Sequence, residues 1–337
     1  MGEQTRTSPR DAADEAVEPV LSIRGLSVAV GAREGTPLVD EVFLDVFPGE
    51  TVGLVGESGS GKSLTCMALL DLLPSSLTVK GEVRLEGENV HEMSPKRLRE
   101  VRGTTAAMIF QEPMSSLNPV LTVKVQLFEA LRGAEYPNAK LKLARAVELL
   151  DLVGINQPER RLNQYPHELS GGMCQRVMIA IALGGNPKVL IADEPTTSLD
   201  VTIQAQVLQL LKDLTSRLGM ALLLVTHDLG VVAQSCDRVC VMYAGRIIEH
   251  GAVRSIFESP THPYTEGLLK SLPSIDGVWH RLPSLSGSVP VVDSMPPGCR
   301  YHPRCPLAVD RCAVEVPPLS QMPTGASVAC WVRGPRT

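Results

Sequence analysis

The sequence predicts an α/β protein in which a mostly parallel sheet carries a glycine-rich phosphate loop. A small antiparallel β subdomain, a helical insertion and a cysteine-containing tail complete the chain. Three observations point there. The apolar run Thr51–Val55 is followed by Gly56-Glu57-Ser58-Gly59-Ser60-Gly61-Lys62-Ser63 and then by a helical stretch from Leu64 to Leu73. Short apolar runs alternate with helix-spaced segments, the signature of a parallel sheet with crossover helices. Half of the prolines, 13 of 26, lie between Pro260 and Pro335, together with four of the eight cysteines.

In chain order, Met1 to Glu18 mixes acids and arginines without an apolar centre and reads as a disordered lead-in, not a signal peptide. The boundaries expected are 1–19 for this lead-in, 20–260 for the α/β body and 261–337 for the tail, with the helical insertion at about 112–170. Val20 to Val30 alternates weakly and reads as a strand, with Val39 to Val46 as its antiparallel partner. The Pro48-Gly49-Glu50 turn feeds Thr51–Val55. Gly81 to Leu85 and Ala106 to Phe110 read as short strands, the second buried. From Val120 to Leu169 strand signals vanish and Leu141 to Val153 takes helical spacing. Gln175 to Leu183 and Val201 to Leu218 read as helices; Val189 to Ala192, Ala221 to Val225 and Arg238 to Tyr243 read as strands. The tail, poor in periodicity, reads as a separate loop-rich module too small to hold together by core alone.

The chain has 337 residues, 44% hydrophobic and 20% charged, with a net charge of −5. That composition is ordinary for a globular protein and offers no bulk attraction to nucleic acid. No apolar run approaches the roughly 20 residues that span a bilayer.

Strand, glycine-rich turn and helix give G-x-x-x-x-G-K-[ST] its chemistry. The glycines let backbone N–H groups curl around an anion, and the helix N-terminus adds partial positive charge. Lys62 would reach the β- and γ-phosphates of a nucleotide, and the Ser63 hydroxyl would ligate Mg²⁺. Lys188 to Glu194 is a buried strand ending in two carboxylates. Asp193 suits Mg²⁺ through water; Glu194 suits an attacking water, as base or as positioner. Ser170-Gly171-Gly172 opens a helix, which is a plain cap or a second anion-binding N-terminus that completes another subunit's site. Gln111 and His227 each follow a strand, where either residue is structural or senses the γ-phosphate.

With these motifs in order, the chain resembles the ATP-binding subunit of an ABC transporter over about Val20 to Pro260. Gly56 to Ser63 is similar to Walker A, Gln111 to the Q-loop and Leu169 to Gln175 to the signature. Leu190 to Glu194 is similar to Walker B, Ser198-Leu199-Asp200 to the D-loop and His227 to the switch histidine. The resemblance implies an ATPase with Lys62, Glu194 and His227 as catalytic residues. It also implies ATP contacts from Gly56 through Leu64, and from Gln111 and Asp200, with Ser63, Gln111 and Asp193 around Mg²⁺. It further implies a head-to-tail dimer, in which Walker A of one subunit faces Ser170, Gly171 and Gly172 of the other.

Ile109-Phe110-Gln111-Glu112-Pro113-Met114-Ser115-Ser116-Leu117-Asn118-Pro119 and Phe257-Glu258-Ser259-Pro260-Thr261-His262-Pro263-Tyr264-Thr265 resemble the oligopeptide/dipeptide (and nickel) importer branch. That likeness implies two membrane permeases, a second ATP-binding subunit and an extracytoplasmic binding protein as partners. It places the chain peripherally on the cytoplasmic membrane face. The residues after Gln111 would form part of a groove for a permease coupling helix. Two positions depart from the pattern: Val28-Ala29-Val30-Gly31 lacks the aromatic that usually stacks on adenine, and Cys174 stands where a basic residue is common.

Cys299, Cys305, Cys312 and Cys330, five, six and seventeen residues apart, suggest a tetrathiolate metal site that replaces a missing core. Zinc and an iron–sulfur cluster are both compatible with that count. Gly298-Cys299-Arg300-Tyr301-His302-Pro303-Arg304-Cys305-Pro306, with Cys312 and Cys330, resembles the C-terminal motif of the peptide-importer branch, which implies a [4Fe–4S] cluster. Arg300, Arg304 and Arg311 either offset its charge or lie solvated at the surface. The function expected is thus ATP-driven import of di- or oligopeptides. Alternatives are import of nickel or another small solute, a soluble ATPase of the same family, and a redox-sensing regulatory ATPase.

Overall fold

The computed structural model describes residues 17–31, 36–111, 116–132, 135–197, 199–272 and 285–335. The lead-in up to residue 16, Glu112 to Ser115 and Ser198 lie outside the described residues.

Two sheets organise the chain. The smaller is antiparallel: β1 (Leu21–Val30) pairs with β2 (Val39–Val46) on one side. On its other side β1 pairs with β4 (Leu77–Leu85), which is extended by the short β5 (Glu88–Asn89). β4 starts four residues earlier than the apolar reading gives, because Leu77-Thr78-Val79-Lys80 is half-exposed edge and has little apolar signal.

The larger sheet has eight strands. Its parallel centre runs β9 (Arg238–Tyr243), β3 (Thr51–Val55), β8 (Ala221–Thr226), β7 (Val189–Asp193), β6 (Ala106–Ile109). β3, β7 and β8 are buried along their whole length, as expected of strands covered on both faces. All four parallel pairings put strand C-termini on one edge, which gathers Gly56, Gln111, Glu194 and His227 there. Phe110, expected at the buried end of a strand, is 44% exposed, because β6 stops at Ile109.

Helices between Val123 and Arg161 form the insertion, packed through Leu127, Leu149, Leu150 and Val153 against the helix Gly171–Leu183. Val201–Leu218 is a single helix, started by the Asp200 carboxylate and ended by Gly219 in the left-handed region.

Beyond β9 the sheet turns antiparallel, a departure from the tail's reading as a separate module. β10 (Arg246–Ala252) folds back on β9, and β12 (Ser327–Val328), paired with β11 (Ser320–Gln321), adds to β10. The tail therefore closes an edge of the main sheet, with Tyr301 and Ala326 in a core shared with Tyr243 and Tyr264. Glu249, fully buried on β10, accepts hydrogen bonds from the backbone N–H groups of Thr261 (2.6 Å) and His262 (3.0 Å). This fixes the entry to the helix Pro263–Lys270, where His262 Nδ1 caps the Tyr264 N–H at 3.0 Å.

Burial, aided by the nearby Arg333 charge, lowers the His262 pKa from 6.5 to about 3. The folded state thus holds His262 neutral while the unfolded chain takes up a proton below pH 6.5. Its contribution to stability is complete above that pH and is lost as the pH falls toward 3, at about 1.4 kcal/mol per pH unit. In chemical denaturation series from pH 7 to 4, a His262→Asn variant, which keeps a capping oxygen, should show a flatter pH dependence than the wild type.

Candidate functional site

The site is built on the turn between β3 and the helix Lys62–Leu69. Gly56 has no room for a side chain: a Cβ there would lie 2.2 Å from the Met242 carbonyl oxygen. Gly59 (φ 79°) and Gly61 (φ 102°) occupy left-handed conformations that curl the loop. Lys62 is buried, and its Nζ donates to the carbonyls of Gly56 (2.8 Å) and Glu57 (3.1 Å). The cation thus spans its own loop. Burial lowers its pKa, opposed by the charges of Glu194 and Asp193.

Asp193 ends β7 beside Ser63. Burial raises its pKa, opposed by a hydrogen bond with Ser63, while Glu194 adds to the rise. Among the described residues Asp193 Oδ1 is buried without a hydrogen-bond partner. A buried, unpartnered carboxylate oxygen next to a serine hydroxyl, at the mouth of a phosphate loop, fits a hard divalent cation such as Mg²⁺.

Glu194 follows with a left-handed backbone (φ 47°), strained for a residue with a side chain. Its N–H donates to Val225 O at 2.9 Å, which fixes it over β8. Three side chains surround its carboxylate. Gln111 Nε2 donates to Oε2 at 3.2 Å, Thr197 Oγ1 donates to the same oxygen at 2.8 Å, and His227 Nδ1 lies 3.3 Å from Oε1. Gly56, Glu57, Ser58, Gln111, Glu194 and His227 line one cavity of about 500 Å³. Residues from the ends of β6, β7 and β8 thus converge on the phosphate loop that follows β3. Thr197 was not foreseen; a hydroxyl three residues after the carboxylate is its only trace in the sequence.

Ser170, Gly171, Gly172 and Asp200 do not line that cavity. Ser170 caps the helix Gly171–Leu183 by accepting from Met173 N–H at 3.3 Å. Asp200 likewise accepts from Ile203 N–H at 2.9 Å. The two helix starts are neighbours: a Cβ on Gly172 would lie 2.8 Å from Ile203 Cγ2, and one on Gly171 3.9 Å from Leu199 Cδ2. Ser170, Gly171 and Asp200 are exposed. Cys174 is fully buried, with Sγ 3.5 Å from Pro166 O, so a thiol here packs where a longer basic side chain would have to reach outward.

All eight cysteines are free. Burial pushes the Cys299 thiol up to about 11, helped by Cys312, Cys305 and Cys330. Among the described residues, no three His, Cys, Asp or Glu side chains are assembled at metal-holding geometry. The reading of Arg300 and Arg304 as solvated surface arginines does not hold. Both are mostly buried, Arg300 against Asp40 and Arg304 against Glu57. Arg311 is half-exposed, paired with Glu315 and stacked 3.4 Å from the Trp331 ring centre.

A Gly56→Ala variant should remain folded in its β subdomain yet lose nucleotide binding by at least about tenfold, since the clash is with backbone and must displace the loop. Titration with a fluorescent ATP analogue measures it.

Comparison with known proteins agrees with this geometry. The ABC transporter family model matches residues 39–197, and the model for the oligopeptide/dipeptide transporter C-terminal region matches residues 248–312. The chain is 51% identical over 302 residues to the oligopeptide transport ATP-binding protein AppD of Bacillus subtilis, covering 89% of this chain and 92% of AppD. It is 46% identical over 314 residues to the dipeptide transport ATP-binding protein DppD of Escherichia coli, covering 92% of this chain and 96% of DppD. Among solved structures it is similar to the ATP-binding cassette MJ0796, described as a post-hydrolysis dimer bound to ADP and Pi. The TM-score is 0.61 at 28% identity, over 69% of this chain and 99% of that one. Half identical to AppD over 89% of its length, with the phosphate loop and acidic strand end in the same sheet, the chain belongs to the ABC transporter ATP-binding subunit family.

Proposed function

We propose that this chain is the ATP-hydrolysing subunit of a membrane importer of di- or oligopeptides, working head-to-tail with itself or a homologous ATPase. The observation that carries the ATPase reading is the placement of Glu194. Its carboxylate is fixed by Gln111, Thr197 and His227 at the edge of the cavity that the phosphate loop closes. ATP would draw Lys62 from the carbonyls of Gly56 and Glu57 to the β- and γ-phosphates. Glu194 would orient or deprotonate the attacking water, and His227 would hold the γ-phosphate. Ser63 and Asp193 would hold Mg²⁺, with Gln111 reaching it once released from Glu194. A bound Mg²⁺ supplies charge neutralisation at the phosphates.

Ser170, Gly171, Gly172 and Asp200 would serve the opposing subunit. Their exposure at two adjacent helix starts supports this, as does the dimer described for MJ0796. The peptide reading rests on the peptide-transport names of the relatives. No helix among the described residues is long and apolar enough to cross a membrane. The permease partners would dock in a groove of about 940 Å³ between the main sheet and the helical insertion, where exposed Phe110 joins Leu72, Leu117 and Leu121.

The tail thiols support a second part of the reading. Cys299, Cys305, Cys312 and Cys330 are free and confined to a region of four short elements. They fit a [4Fe–4S] cluster, or zinc, in ligand type and number. A bound cluster would supply cross-links within the tail. Anaerobically purified protein should contain about four irons and four sulfides per chain; one zinc and no iron would replace the cluster by zinc.

Glu194→Gln should lower ATP turnover by roughly 10²–10⁴-fold while ATP binding persists. Single-turnover hydrolysis at the wild-type rate would remove Glu194 from the chemistry.

A further inference from the structure

Glu57, the second residue of the phosphate loop, borders the cavity and is tied down at four atoms. Its carboxylate makes a two-pronged ion pair with Arg304, Nη1 to Oε2 at 2.7 Å and Nη2 to Oε1 at 3.0 Å. Its N–H donates to the Tyr264 hydroxyl at 2.9 Å. Its carbonyl accepts from Lys62. Arg304 is 8% exposed and lies over the rings of Tyr243 (5.6 Å) and Tyr301 (5.8 Å). Those rings form an edge-to-face cluster with Tyr264. The guanidinium is thus fixed by packing before it meets Glu57.

Four residues earlier, Arg300 braces the loop from its other side. It binds the Asp40 carboxylate at 2.6 Å and the Ala244 carbonyl. Gly245, the next residue, donates its N–H to Ser60 O of the loop at 2.8 Å. Both arms come from the turn Arg300–Arg304, more than 240 residues away in sequence.

We infer that Arg304 of the tail is a positioning residue for ATP: it fixes the phosphate loop through Glu57 and cancels a negative charge beside the nucleotide's phosphates. When Lys62 turns to the phosphates, the Glu57 carbonyl keeps only the Ser60 N–H, and Arg304 with Tyr264 holds the rest of the residue in place. Without Arg304, an unpaired carboxylate stands next to a polyanion. This inference rests on the ATPase reading above. Wild-type ATP binding and turnover, measured first on the full chain, test that reading separately.

The experiment compares full-length wild type, Arg304→Ala, Arg304→Lys, Glu57→Gln and the double variant Glu57→Gln/Arg304→Ala. It measures the KM for ATP, kcat and the nucleotide-free melting temperature. Arg304→Ala should raise KM about tenfold with kcat changed by less than about twofold, because the lost contact serves binding. Arg304→Lys, a point charge without the fork, should fall between. Adding Glu57→Gln should recover most of the KM, since it removes the charge left unpaired. A KM within about twofold of wild type in Arg304→Ala overturns the inference, as does a double variant no better than Arg304→Ala. Should Arg304→Ala not fold, Arg304→Lys still decides: a KM within about twofold of wild type in that variant overturns the inference.

Discussion

A loop that wraps backbone N–H groups around an anion cannot also use them to hold itself together. Everything else in this structure answers that constraint. Gly56 to Ser63 makes few bonds within itself, notably Ser60 N–H to Glu57 O and the Lys62 ammonium across the mouth. Its shape is imposed from outside, by the Met242 carbonyl beneath Gly56, by Gly245 on Ser60 and by Tyr264 and Arg304 on Glu57. Met242 lies in β9, Gly245 in the turn from β9 to β10, Tyr264 in the helix after β10, and Arg304 in the tail turn. Without the tail, β10 would be an open edge and the tyrosine cluster would lose Tyr264 and Tyr301.

The parallel sheet was legible because its strands are short, apolar and bounded by glycine, proline or acidic turns. β3 and β9 have the ends expected of them, and the helix Val201–Leu218 has its cap and stop at Asp200 and Gly219. β10 was not legible. Glu249 and His250 interrupt its apolar run, and the reason a carboxylate sits there, two backbone N–H groups of the next turn, is tertiary. The same holds for Phe110, whose apolar side chain belongs to an open groove and not to the core. Sequence pattern reports which residues avoid water on average; it does not distinguish a core from a surface reserved for something else.

The site divides along similar lines. Lys62, Ser63, Asp193, Glu194, Gln111 and His227 were found because each sits at a fixed offset from a strand end, and parallel strands bring such ends together. Thr197, Tyr264 and Arg304 were missed because each is recognised only by the atom it touches. The Arg304–Glu57 pair spans 247 residues of chain. Composition could register four cysteines and three arginines close together and could not see that two of those arginines turn away toward the nucleotide loop.

Burial makes the electrostatics of the site conditional. Lys62, Asp193 and Glu194 share a poorly solvated region: burial weakens the proton affinity of the ammonium and strengthens that of Asp193, while the opposite charges work against both shifts. The ammonium meanwhile leans on two neutral carbonyls, which cost it less to leave than a carboxylate would. Left unpaired, Glu57 would compete with the phosphates for Lys62. Paired with Arg304, it leaves that cation free for the nucleotide, so the tail's ion pair and the loop's lysine are two halves of one charge arrangement.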